Sequence, residues 1–234
     1  MTRRSISNFI RFSAVCGLFS AAIFTLNWIW AGLLEDNYDN LRQDISDFGA
    51  LTASHPLPYN LLLSFSSALL VVFAIGLWMS LGRGWSARIG VVVLGVVGVG
   101  NFLDGLWRED CSPSGDKVCQ AAVDAGDVSW HHQAHDLESI VTLSAMILSP
   151  IVLAFAFRRR EQWRDLFVWS LAAGAIAFVA MTWYAVLYTT QDGSGYSGAL
   201  ERALAVVSML WIAAVAWRLL RLTPNAATEP LQQG

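Results

Sequence analysis

The chain has 234 residues, of which 55% are hydrophobic and 14% charged, and its formal net charge is −3. A soluble domain carries roughly 25% charged residues, and here the apolar residues lie in blocks of about 20, the length that crosses a bilayer. The composition therefore excludes an ordinary soluble domain. We expect a single membrane domain over residues 1–222, a tail over 223–234 and no nucleic-acid partner.

Six apolar segments predict an all-α bundle of six membrane-spanning helices without an internal repeat. The third segment is rich in glycine, which allows close helix–helix approach, and Pro150 predicts a break or bend in the fourth. The segments cover about 12–34, 59–81, 88–108, 131–157, 165–190 and 200–222.

The loop after the first span is acidic, yet it carries apolar residues at spacings of three or four. That pattern predicts a short amphipathic helix over about 40–51, which would lie along the membrane interface or cap the bundle. The apolar positions are Tyr38, Leu41, Ile45, Phe48 and Leu51.

Two cysteines, Cys111 and Cys119, flank the second acidic loop in the segment CSPSGDKVC. If the loop faces an oxidising compartment, the two should form a disulfide. A metal-binding pair is the alternative, although seven intervening residues are too many for a tight cysteine motif. Cys16 lies inside the first span and is expected to be a packed residue.

The positive charges indicate the orientation of the bundle. With six spans both termini lie on one side, and 11 of the 15 Lys and Arg residues fall on that side. The positive-inside rule then places both termini in the cytoplasm and the protein in the cytoplasmic (inner) membrane. All four histidines and most of the carboxylates lie on the opposite, outer side, where we expect a polar pocket.

Three of the four histidines open the fourth span in the segment HHQAHDLE. His131 and His135 are one helical turn apart and could share a zinc ion, with His55 or Asp104 as a third ligand. Alternatively the segment is a structural ion-pair network. In that case His132 and Asp136 would pair with each other, and His131 and His135 would meet carboxylates of the outer loops.

Asp104 lies near the outer end of the third span and is the main candidate for a general base or a partner of a metal-bound water. Its structural alternative is an ion pair with Arg108, four residues along the same predicted helix. Ser46 is a second catalytic candidate. Glu138 and Glu201 are predicted to support the site or to pair with an acidic loop.

Two stretches carry a resemblance to a known family. YDNLRQDISDFGALTASHPLPYN, after the first span, and GNFLDG, at the end of the third, resemble bacterial and archaeal membrane proteins of domain-of-unknown-function family 998. The resemblance implies a six-span bundle over nearly the whole chain and supplies no activity. The loop with two cysteines looks like an elaboration of that pattern.

A more distant analogy connects the site to membrane hydrolases of the alkaline ceramidase and adiponectin-receptor type. Those proteins combine Ser, Asp and three His around zinc, parts that Ser46, Asp104, His55, His131 and His135 could play here. They have seven spans and a different motif order, so the analogy concerns chemistry alone.

Two function hypotheses follow. The first is a metal-dependent hydrolase that cleaves an amide or ester in a lipid-like substrate at the outer pocket. The second is a non-enzymatic membrane protein whose polar cluster is a structural network or a site for a cation or lipid headgroup. A transporter ranks third, because the spans lack paired Gly/Pro interruptions near the midplane.

Overall fold

The computed structural model describes residues 2–190 and 195–223. The predicted tail beyond Thr223 and part of the turn before the last span lie outside the described residues. Seven α-helices and two short 3-10 helices make up the described chain. The α-helices are α1 (Arg3–Leu34), α2 (Pro56–Leu81), α3 (Trp85–Asp104), α4 (Lys117–Ala125), α5 (Trp130–Arg158), α6 (Leu166–Thr190) and α7 (Ser197–Leu222).

Six of these helices are long and apolar enough to cross a membrane, so the predicted six-span all-α bundle is confirmed. Each spanning helix packs against the next one along the chain, and α7 packs back against α1. The six spans therefore form a closed helix ring. The first and last spans meet at its seam, where the Arg11 guanidinium donates to the Thr223 carbonyl at 2.7 Å.

An apolar core fills most of the helix ring. It contains large, fully buried side chains from several spans, as expected when each helix turns one face inward and the other toward lipid. The core includes Leu70, Phe73, Leu94, Leu153 and Ile212. At the end of the bundle away from the start of α1 and the end of α7, which we call the polar end, buried polar and charged groups replace it.

The third span ends earlier than the sequence predicted. α3 stops at Asp104, and the N–H groups of Leu106 and Trp107 bond back to the Leu103 carbonyl in a tight turn. Arg108 therefore lies outside the helix, and the predicted one-turn spacing between Asp104 and Arg108 does not exist. The fourth span agrees closely with prediction, although α5 continues as one helix through Pro150.

The first loop of the polar end does not form the predicted helix over 40–51. Its helical content is a single 3-10 turn, Ser46–Gly49, whose Asp47 and Phe48 are buried. Phe48 packs with Tyr59 and Ile45 in a small apolar cluster above the main core. Of the apolar residues that predicted the helix, Ile45 and Phe48 are buried in a folded loop at the polar end of the bundle, whereas Leu41 and Leu51 are exposed.

The second loop of the polar end contains α4, which the sequence analysis did not predict. Asp116 caps this helix, since its side chain accepts the Val118 N–H at 2.8 Å. Cys119 lies in α4 and forms the predicted disulfide with Cys111, with a Cα–Cα distance of 5.9 Å. Cys16 is free and buried in α1, also as predicted.

Candidate functional site: a line of histidines and carboxylates beside an interior cavity

The histidine segment forms the start of α5. The Ser129 hydroxyl accepts the His132 N–H at 3.3 Å and caps the helix. His132, His135 and Glu138 are the members of the segment that are buried, so the inward-facing stripe has a spacing of three residues. The predicted pair of His131 and His135, one helical turn apart, is therefore divided, because His131 is only partly buried.

His135 connects α5 to the end of α3. Its Nδ1 lies 2.7 Å from Asp104 Oδ1 and 3.2 Å from the Trp107 carbonyl oxygen. Because that carbonyl can only accept, Nδ1 carries a proton and donates. On the opposite side of the imidazole, Nε2 lies 3.7 Å from Glu109 Oε2. Asp104 therefore pairs with His135, in place of the predicted pair with Arg108.

His132 has the opposite proton arrangement. Its Nδ1 accepts the Asp110 N–H at 3.0 Å, so in the neutral imidazole the proton is on Nε2. That Nε2 is buried and lies 3.9 Å from Asp136 Oδ1. Neither His132 Nε2 nor Glu109 Oε2 has a hydrogen-bond partner in the described part of the chain.

Glu109, His132 and Asp136 form the one group among the described residues that could hold a metal ion. Each offers a ligand atom, and these atoms lie within 4.8 Å of one another. This group differs from the predicted set of His55, His131 and His135, of which none belongs to it.

His131 and His55 contact different groups from those that surround His135. His131 Nδ1 donates to the Arg108 carbonyl at 2.6 Å and lies 3.7 Å from Asp110 Oδ1. His55 is at the start of α2, where its imidazole centroid is 6.2 Å from that of Trp30 on α1. The structure thus does not bring His131, His135 and His55 to a common point.

Together these contacts form a continuous series, which we call the histidine–carboxylate line. It runs from half-exposed Asp136 through His132, Glu109 and His135 to Asp104. Burial raises the pKa of Glu109 to about 8, with His135 opposing the shift and Asp47, Asp104 and Asp136 adding to it. The pairings expected of a structural network are therefore present, but they lead inward to a cavity.

The cavity lies inside the helix ring at the polar end and has a volume of about 90 Å³. That is enough room for several water molecules, and its wall is polar enough to hold them. All six spans and the 3-10 turn Ser46–Gly49 of the first loop contribute to the wall. Its polar residues are Ser46, Tyr59, Asn101, Asp104, Glu138, Ser139, Thr142, Tyr184 and Glu201.

Glu201 supports the first loop from across the cavity. Its Oε2 accepts the Ile45 N–H at 2.6 Å, which agrees with the prediction that it would pair with an acidic loop. The neighbouring Arg202 donates to the Gln43 carbonyl at 2.8 Å and to the Tyr38 hydroxyl at 2.6 Å. Its guanidinium makes no salt bridge within the described residues.

Two carboxylates of the first loop, partly buried Asp44 and buried Asp47, were not assigned as main site candidates from the sequence. Tyr184 donates to Asp44 at 2.8 Å, and Ser114 of the disulfide loop donates to Asp47. Burial and the neighbouring charge of Asp47 raise the pKa of Asp44 to about 7, and burial also raises the pKa of Asp47. The sequence feature that could have indicated their position is the pattern DISDF, in which each acidic residue is followed by an apolar residue that packs inside the protein.

Glu109 gave no such signal, because its burial depends on how the chain turns after Asp104. Its own backbone carbonyl accepts the Leu51 N–H at 2.9 Å, so the second loop is bonded to the first at this point. Asp110, beside it, is only partly buried. Although burial opposes the change, hydrogen bonds from Ser129 and the nearby His131 and His132 lower the pKa of Asp110.

Comparisons with known proteins agree with this architecture. The model of the family described as "Protein of unknown function (DUF998)" matches residues 15–218, which include four spans in full, most of the first and last spans and the whole polar end. No curated protein and no solved structure matches the chain. The resemblance seen in the first loop and in GNFLDG is confirmed, and the chain belongs to the DUF998 family of membrane proteins.

Proposed function

We propose that this protein is a membrane-embedded hydrolase that cleaves an ester or amide bond in a lipid-like substrate at the interior cavity. The observation that carries the proposal is the Asp104–His135 pair, 2.7 Å apart, with Asp104 in the cavity wall. A carboxylate held by a buried imidazole and facing a water-sized space has the arrangement of a general base. A cavity within the membrane spans favours a substrate that arrives through the bilayer.

In this mechanism Asp104 takes a proton from a water molecule in the cavity, and the water oxygen attacks the carbonyl carbon. The bond from that carbon to the leaving oxygen or nitrogen then breaks, and Asp104 returns the proton to the leaving group. Throughout the reaction His135 donates to Oδ1 of Asp104. The other carboxylate oxygen of Asp104 is then the one that accepts the proton from water. Ser46 is in the cavity wall, where its hydroxyl can orient the substrate carbonyl.

The test is release of fatty acid from a panel of acyl esters and amides by purified protein in lipid nanodiscs. Asp104→Asn should reduce release by about 100-fold or more, the usual contribution of a general base. The matched control is Asp124→Asn, an exposed carboxylate on α4, which should leave the rate unchanged. Equal rates for Asp104→Asn and the parent protein would contradict the proposed role.

A zinc or other divalent ion is a second arrangement for the same reaction. Glu109, His132 and Asp136 would hold it, and the unpartnered Glu109 Oε2 and His132 Nε2 support that ligand set. Against it, metal-bound imidazoles usually donate from their other nitrogen, whereas His132 Nδ1 accepts the Asp110 N–H. We therefore favour the route without a metal. Stoichiometric metal in purified parent protein that is lost in His132→Ala would reverse this preference.

The non-enzymatic alternative rests on Asp44 and Asp47, each of which has one buried carboxylate oxygen without a partner in the described residues. Such oxygens could bind a cation or a cationic headgroup. This alternative predicts that Asp104→Asn mainly lowers thermal stability. It also predicts that no lipid ester or amide is cleaved by the parent protein.

A further inference from the structure

A large groove lies on the membrane-facing side of the bundle, between α2, α3 and α5. Its volume is about 790 Å³, and its wall is apolar except at Glu138 and Thr142. The groove contacts α3 from Val91 to Leu103, which corresponds to about 18 Å of helix. All three helices are membrane spans, so the groove runs along more than half of a hydrocarbon core about 30 Å thick.

The depth of the groove depends on the small residues of α3. A Cβ added to Gly95 would meet nothing within 4 Å, which shows that open space lies directly over the helix backbone there. Bulky apolar side chains form the sides. They include Val71, Ile75, Trp78, Val92, Leu137 and Val141.

The groove and the interior cavity share two wall residues, Glu138 and Thr142. The Thr142 hydroxyl donates to the Glu138 carboxylate, so the two polar groups form one unit between the spaces. They pack against α3 at Gly100, where an added Cβ would collide with both. The hydrocarbon-facing groove is therefore separated from the polar cavity by a single layer of side chains.

We propose that the groove binds one hydrocarbon chain of a membrane lipid, with the lipid's polar linkage at Glu138 and Thr142. The spans place this surface in bilayer hydrocarbon, so acyl chains surround it at high concentration. An apolar cleft with a few convergent polar groups is the usual form of a site for an amphiphile. This inference rests on the proposed function for the fate of the lipid, since the linkage would then lie beside the cavity containing Asp104.

The experiment uses the full chain in nanodiscs made with a phospholipid that carries a photoreactive diazirine on one acyl chain. Crosslinked residues are mapped by peptide mass spectrometry in the parent protein and in Gly95→Leu, which fills the open space over α3. The control is Val179→Phe, which adds the same number of carbon atoms to an exposed position of α6 outside the groove. Hydrolysis of the same lipid is measured in parallel.

In the parent protein, crosslinks should concentrate on the groove wall, and Gly95→Leu should reduce them about tenfold, while Val179→Phe leaves them unchanged. Equal labelling around the whole bundle would overturn the inference, as would crosslinks from one copy of the chain to another across the groove. Groove labelling without any hydrolysis would leave the inference standing and contradict the proposed function. Hydrolysis at the parental rate in Gly95→Leu would show that the substrate does not use the groove.

Discussion

His135 bridges three parts of the polar end because an imidazole presents two nitrogens in nearly opposite directions. Nδ1 reaches Asp104 and the Trp107 carbonyl at the end of α3, and Nε2 faces Glu109 in the following loop. Asn and Gln have donors and acceptors on one terminal group, so neither could span the same distance between the two carboxylates. The residue therefore fixes where the chain turns after α3, as well as the position of the proposed base.

At the same scale, Glu109 gives stability a defined pH dependence. Its folded-state pKa of about 8 lies above its ordinary value of 4.5. Between these values the folded protein keeps a proton that the unfolded chain has lost, so stability falls as pH rises from about 4.5 to 8. In Glu109→Gln the thermal midpoint in detergent should change less between pH 5 and pH 8.

Asp44, whose pKa is raised from 3.8 to about 7, contributes a slope of the same sign that ends near pH 7, so the Glu109→Gln profile should be shallower rather than flat. Asp124→Asn, at an exposed site, serves as the control and should retain the parental slope. Parallel profiles for Glu109→Gln and the parent protein would mean that Glu109 is already ionised in the folded state.

At the scale of elements, the two polar-end loops hold each other in place. Ser114, within the disulfide loop, accepts the Asp44 N–H at 3.0 Å and donates to Asp47. The Leu51 N–H bonds to the Glu109 carbonyl at 2.9 Å. The position of the first loop, and with it the burial of its carboxylates, thus depends on the second loop.

Removing the disulfide should loosen both loops while the spans stay folded. Cys111→Ser opens a loop with a sequence separation of 8, for which the chain-entropy model gives a loss of about 2–3 kcal/mol. Hydrogen exchange should quicken over residues 38–51 as well as 111–119 and remain slow in the spans. Cys16→Ala is the control, because Cys16 is free and distant in sequence from both loops. Faster exchange confined to 111–119 would show that the loops are independent.

Two glycines of α3 make a matched pair for testing the packing of α3 against α5. Gly100→Ala should destabilise the protein because its Cβ would collide with Thr142 and Glu138. Gly95→Ala meets no atom within 4 Å and should gain up to about 1 kcal/mol of helix propensity. Thermal midpoints in detergent should therefore move in opposite directions. Equal shifts would contradict the close contact at Gly100.

For the whole molecule, the polar end lies opposite the start of α1 and the end of α7, and the charge bias predicts which end is cytoplasmic. Green fluorescent protein fused to the C-terminus should fluoresce, since it folds in the cytoplasm. Alkaline phosphatase inserted after Gly126 should be active, since it requires an oxidising compartment. The reverse pattern would overturn the predicted orientation. It would also leave the disulfide facing a reducing compartment.

The spans and the disulfide were predictable from sequence because they depend on local properties: apolar blocks of membrane-crossing length, and two cysteines flanking a short loop. The site was harder to predict from sequence, because its residues depend on the rotation of α5 about its own axis. Spacing alone cannot distinguish an inward stripe through His131 from one through His132, since both recur every three or four residues. Packing against α3 decides between them. The inward turn of Asp44 and Asp47 likewise depends on contacts with residues more than 60 positions away, such as Ser114.

The contact between Arg11 and Thr223 also has a consequence for biogenesis. At the seam of the helix ring, α1, the first span to be synthesised, packs against α7, the last. The side of α1 that contacts α7 therefore stays uncovered in the bilayer until the other five spans have been inserted. The interior cavity needs Glu201 from α7 to complete its wall and so cannot exist on a partly translated chain. Any chemistry in the cavity would begin only when the ribosome has finished the last helix of the ring.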